Sequence, residues 1–125
     1  MSDFLFVYGT LLKNADNDMS DYLFKNSKYI SSGFFYGKLF NVSWYPGAIL
    51  SNCSDDKVFG SIFKLKDADN ILKILDDYEG IDEQLYRREL INVFRDDEEL
   101  KCWVYLYNRP ITNLQQIVSG NFLEP

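Results

Sequence analysis

No histidine occurs anywhere in the 125 residues, and that absence removes Ser-His-Asp and Cys-His triads, His-based zinc centres and imidazole proton shuttles together. Acid–base work must fall to carboxylates, lysines or tyrosines. Cysteine is nearly as scarce: Cys53 and Cys102 are the only two, each in or beside an apolar, strand-like stretch. They read as buried free thiols and not as a disulfide framework. Three prolines and seven glycines are too few for a linker, a collagen-like repeat or a disordered chain. Basic residues are in the minority, 13 against 19 acidic, giving a net charge of −6 and a pI near 4.5. A phosphate backbone or an anionic membrane is mostly repelled by such a surface, so nucleic acid and membrane are not expected partners. A small anion is still bindable, because a few converging backbone N–H groups act locally. Long hydrophobic runs are missing too. Met1-Ser2-Asp3 carries no basic residue and leads into the five apolar residues Phe4 to Tyr8, too short for a signal peptide or a membrane span. The cytoplasm is the expected location.

What is abundant is apolar and aromatic side chain, 46% and 17% of the residues, enough for one continuous core, so a single domain over residues 1–125 is expected. Phe4 to Tyr8 is apolar on both alternating faces, as in a strand covered on both sides or closed into a barrel. Asp18 to Asn26 places Met19, Tyr22 and Leu23 on one helical face. Tyr29 to Val42 reads as a long strand whose Gly33 and Gly37 mark a bend or a close backbone approach. Val58 to Leu65 and Tyr86 to Phe94 are further strands, and Asp96-Asp97-Glu98-Glu99 is a charged turn into a strand over Lys101 to Tyr107. The clearest helix is Ala68 to Glu79, with Asp67 as its cap, Ile71, Leu72, Leu75 and Tyr78 as its apolar stripe, and Gly80 in the left-handed position that ends it. Five or six strands with two helices between them give an α+β fold, a small mixed β-barrel with flanking helices.

Two places could carry chemistry. Glu79 lies four and seven residues after Leu75 and Leu72, at the margin of the buried stripe, where desolvation raises a carboxyl pKa toward neutrality. The competing reading is a solvated residue at a helix end, although a negative charge there opposes the helix dipole. Tyr8-Gly9-Thr10-Leu11 ends the first strand with a glycine that lets successive N–H groups converge on an anion. The alternative is a plain strand-to-loop turn in which Thr10 satisfies its own backbone. Trp44-Tyr45-Pro46-Gly47 reads as a loop whose aromatics could line a pocket. Arg87 and Arg88 read first as structural ion pairs, and Trp103, Tyr105 and Tyr107 share one strand face, mostly as core.

Taken in order, several segments resemble the gamma-glutamylcyclotransferase-like family, in particular its gamma-glutamylamine cyclotransferase branch. They are Phe6-Val7-Tyr8-Gly9-Thr10-Leu11-Leu12, Tyr45-Pro46-Gly47-Ala48, Val58-Phe59-Gly60, Leu75-Asp76-Asp77-Tyr78-Glu79-Gly80, Leu85-Tyr86-Arg87-Arg88, Trp103-Val104-Tyr105-Leu106-Tyr107 and Ile117-Val118-Ser119-Gly120. The resemblance implies a compact mixed barrel in which the Tyr8-Gly9-Thr10-Leu11 loop holds the substrate and Glu79 is the catalytic residue. It implies release of 5-oxoproline from a gamma-glutamyl amine or amino acid, a transferase or lyase-type cyclisation without metal or cofactor. A non-catalytic module that binds a small carboxylate on the same fold, and an adaptor that uses an aromatic face, are the competing functions.

Overall fold

The computed structural model describes residues 2–9, 18–43 and 45–122, with backbone alone for residues 18–20. Phe4–Val7 forms β1 and Asp18–Lys25 forms α1; Ser27–Asn41 is β2, Pro46–Leu50 is β3 and Lys57–Leu65 is β4. Ala68–Tyr78 is α2, Tyr86–Arg95 is β5, Glu98–Tyr107 is β6 and Gln115–Gln116 is β7. The strands run in the order β2-β4-β1-β6-β5, and β5 returns to β2 where Phe34 stands opposite Phe94. This closes a five-stranded barrel and leaves none of those strands with a free edge. β1 runs parallel to β6 and every other pair is antiparallel, so the barrel is mixed, as expected from the sequence. β3 and β7 add to the far end of β2.

The two-faced apolarity of β1 has a direct counterpart in packing. Phe6 and Tyr8 join Phe35, Val58, Ile62 and Val104 in one buried cluster. Leu5 and Val7 point the other way, into a second cluster with Ile71, Leu72 and Leu75 of α2. The barrel interior and the layer under α2 are thus separate cores on the two faces of one strand, which the period of two makes possible. Leu23 of α1 is fully buried in the second cluster. β2 is irregular between Tyr29 and Ser31. At Gly33 and Gly37 a Cβ would come within 2.8 Å of the Phe94 carbonyl oxygen and 2.5 Å of the Ile49 carbonyl oxygen. These glycines do mark close backbone approaches.

Four expectations need correction. Pro46 and Gly47 are the first residues of β3 and not a loop. Proline is acceptable as the first residue of a strand, and at Gly47 a Cβ would sit 2.8 Å from the Tyr107 side chain, so only glycine fits under that ring. Asp67 makes no side-chain cap bond; its backbone carbonyl accepts from the Ile71 N–H at 3.0 Å, so the helix start is held by main chain alone. The acidic turn is shorter than expected: Asp96 and Asp97 make the turn, Asp96 with a φ of 49°, and Glu98 already pairs with Arg95. Cys102 is buried as expected, but Cys53 is exposed in the turn between β3 and β4, where its N–H bonds to Ser51 Oγ. The end of α2 does follow the expected chemistry. Gly80 has a φ of 70°, its N–H donates to the Asp77 carbonyl and the Ile81 N–H to that of Asp76, a Schellman termination. Among the described residues no helix is long and apolar enough to cross a membrane.

Candidate active site

The Schellman turn leaves Glu79 as the C-cap of α2, beside the ends of β1 and β5. A cavity of about 210 Å³ opens there. Phe6, Val7, Tyr8 and Gly9 form its β1 side, Tyr45 and Pro46 come from the start of β3, and Leu85, Tyr86 and Tyr105 complete the wall facing Glu79. The structure therefore brings together three sequence-derived candidates, Tyr8, Gly9 and Glu79. Thr10, Leu11 and Trp44 lie outside the described residues. Gly9 meets a steric demand: a Cβ would be 2.8 Å from the Pro46 ring, so the glycine lets β1 approach β3 at the cavity.

Three phenols at the cavity, those of Tyr8, Tyr86 and Tyr105, are tied to fixed partners. The Tyr8 hydroxyl donates to the Tyr105 carbonyl and accepts from the Ala48 N–H at 3.1 Å. The Tyr86 hydroxyl donates to the Pro46 carbonyl. Tyr105 donates to Asp76 Oδ1 at 2.7 Å, and Arg88 grips the same carboxylate with Nε at 2.8 Å and a terminal nitrogen at 3.1 Å. Arg88 also lies 4.4 Å above the Trp103 ring. Arg88 is opposite Tyr105 in the β5–β6 ladder, so Asp76, one turn before Glu79, locks both strands to α2. Arg87 pairs with Glu89 on the exposed side. Both arginines are structural ion pairs, as their alternation implied. Asp76→Ala would leave Arg88 and Tyr105 without their acceptor, and it is expected to cost about 1–2 kcal/mol in urea unfolding.

The electrostatics follow from this geometry. Glu79 keeps partial exposure as a residue, yet its carboxyl group is buried, and burial raises its pKa from 4.5 to about 7. No hydrogen bond or cation among the described residues offsets that burial. The phenols cannot serve as bases. Burial pushes Tyr8, Tyr86 and Tyr105 far above their ordinary value, and the nearby Glu79 charge pushes each further. For Tyr105 the bond to Asp76 acts in the same direction. The arrangement is one carboxyl group poised to take or give a proton near neutral pH, in a cavity walled by neutral hydroxyls and apolar rings. Of these residues, Tyr86 and Asp76 were not singled out from the sequence. Asp76 stands three residues before Glu79 and so on the same side of the helix, but that spacing alone does not mark it as more than a polar helix residue.

Comparisons with known proteins agree with the fold. The family model described as gamma-glutamyl cyclotransferase, AIG2-like, matches residues 5–124. A gamma-glutamylcyclotransferase family protein, ytfP, from Citrobacter rodentium is 30% identical over 127 residues, covering 96% of this chain and 95% of the relative. The solution structure of ytfP from Escherichia coli superposes with a TM-score of 0.69 at 26% identity, over 97% of this chain and 96% of that one. YkqA from Bacillus subtilis gives a TM-score of 0.74 at 24% identity over 97% of this chain, which spans only 39% of that longer protein. A match over nearly the whole length, on a closed mixed barrel, makes this chain a member of the gamma-glutamyl cyclotransferase, AIG2-like family.

Proposed function

We propose that the chain is a gamma-glutamylcyclotransferase that releases 5-oxoproline from a gamma-glutamyl amine or gamma-glutamyl amino acid, with Glu79 as general base and then general acid. The observation that carries this reading is the buried Glu79 carboxyl group, its pKa raised to about 7, at a cavity of about 210 Å³. The reaction asks for little more. The nucleophile, the substrate's own α-amino nitrogen, is tethered to the carbon it attacks, so the protein has to fold the chain and move protons.

In this mechanism ionised Glu79 takes a proton from the substrate α-ammonium. The freed nitrogen attacks the γ-carbonyl carbon, and the carbonyl oxygen becomes an oxyanion. The bond to the departing nitrogen then breaks as Glu79 hands its proton over. The ring nitrogen sheds a second proton by the same route, so the amine leaves as an ammonium and Glu79 returns to its ionised form. A carboxyl pKa near the working pH serves both directions of transfer. Tyr8 and Gly9, with Thr10 and Leu11 assigned by the sequence motif, hold the substrate in this reading. The backbone N–H groups of Gly9 to Leu11 meet the substrate α-carboxylate or the oxyanion.

The test is 5-oxoproline release from a panel of gamma-glutamyl amines and gamma-glutamyl amino acids. Release from at least one compound at a rate proportional to enzyme supports the proposal and names the substrate class. No release from any of them, together with binding of one that Glu79→Gln leaves unchanged, would assign the cavity to carboxylate binding alone.

A further inference from the structure

A second cavity, of about 430 Å³, lies where β2 passes between β4 and β5, and it shares no lining residue with the Glu79 cavity. Part of its wall is bare backbone. Gly33 stands opposite Gly60 in the β2–β4 ladder, flanked by the pairs Ser32–Ser61 and Phe34–Phe59. Both glycines are imposed by strand packing: a Cβ on Gly60 would be 2.2 Å from the Val7 carbonyl oxygen, and one on Gly33 2.8 Å from that of Phe94. The apolar wall is a run of rings. Phe34 stacks on Phe94 with centroids 5.5 Å apart and tilts against Phe59 at 5.9 Å, and Phe59 remains 40% exposed.

The cation in this cavity is Arg95. Of the four arginines, Arg87 pairs with Glu89, Arg88 holds Asp76 and Arg109 donates to the Glu83 carbonyl. Arg95 stands in no ion pair among the described residues, and its Nε is buried with no hydrogen-bond partner. Acids are not lacking nearby, since Asp96 and Asp97 follow it and Glu98 is its cross-strand partner. Buried donors are satisfied in the great majority of cases. Arg95 lines the cavity and leaves adjacent acids unpaired, so its guanidinium is set to receive an acceptor from outside. Its planar fork matches a carboxylate. Asp96 also lines the cavity and the chain carries a net charge of −6, both of which disfavour a dianion such as phosphate.

We propose that this cavity is a second small-molecule site that takes a monocarboxylate bearing a flat apolar group. The carboxylate is held by Arg95, and the flat group lies against Phe34, Phe59 and Phe94.

Amide chemical shifts of the full chain, followed during titration with sodium benzoate, test this. Saturable shifts at Gly33, Gly60, Ser61 and Phe94 are expected, and the same shifts in Glu79→Gln. Arg95→Met, which keeps the apolar stem, is expected to weaken binding about tenfold or more. Arg95→Lys keeps the charge without the fork and should fall between. If Arg95→Met loses its dispersed spectrum, Phe59→Ala removes an exposed ring instead and should weaken benzoate about threefold. Acetate, benzyl alcohol and inorganic phosphate each lack part of the ligand and are expected not to saturate these amides. Any of four results overturns the proposal: no saturable shift at about 20 mM benzoate, shifts confined to the Glu79 cavity, equal affinity in the fork-less variants, or phosphate binding as tightly as benzoate.

Discussion

Glu79→Gln is expected to lower kcat for 5-oxoproline release by about three powers of ten, the usual contribution of a positioned general acid–base. KM should change little, because glutamine keeps the size and polarity of the side chain while losing only the exchange of protons. The pH dependence gives the sharper reading. Burial holds the Glu79 pKa at about 7, and the proposed first step uses the ionised form. Wild-type kcat/KM should therefore rise with pH, its acid limb centred near 7, and the limb should be absent from whatever activity Glu79→Gln retains. The phenols cannot supply it, since Tyr8, Tyr86 and Tyr105 are all driven upward, away from this range. A variant within tenfold of wild type, or a wild-type profile flat between pH 5.5 and 8.5, both about 1.5 units from the midpoint, would remove Glu79 from the chemistry.

How far the sequence anticipated this site depends on the range over which each feature is decided. The helix α2 was legible because its apolar stripe and Gly80 are local signals; spacing placed Glu79 at the margin of that stripe, and the family resemblance alone gave it a role. β1 was legible as a strand buried on both faces, and its two faces do feed two separate cores. Contacts between distant segments set what was missed. Pro46-Gly47 has local loop chemistry, but the Tyr86 hydroxyl binds the Pro46 carbonyl and the Tyr107 ring leaves no room for a Cβ at Gly47, so the pair becomes the start of a strand. Gly9 suggested unusual dihedrals, whereas the demand on it is steric and comes from Pro46, 37 residues further along the chain by their numbering. Asp76 looked like any polar residue on a helix until the β5–β6 register put Arg88 and Tyr105 side by side to meet it. Arg95 shows the reverse case. It has acidic neighbours in sequence, yet among the described residues it forms no ion pair.

The same buried carboxyl group should make the wild type less stable than Glu79→Gln, by an amount that grows with pH. The folded-state pKa is about 7 against an ordinary 4.5, so between these values the folded chain binds more protons than the unfolded one, and stability falls as pH rises through that window. Below about 4.5 the group is neutral in both states and the penalty is absent; above about 7 it is fully present, about 3 kcal/mol for a shift of this size. Glutamine carries no charge to bury. Glu79→Gln is therefore expected to match wild type in urea unfolding near pH 4.5 and to exceed it by up to about 3 kcal/mol at pH 8. The other carboxylates titrate alike in both proteins and cancel in the difference. A difference that stays constant across this range would mean that the Glu79 carboxyl group is not desolvated. The raised pKa on which the proposed proton transfer depends would go with it. A variant that gains stability as it loses activity would show that the fold carries this unfavourable group at the cavity in exchange for its chemistry.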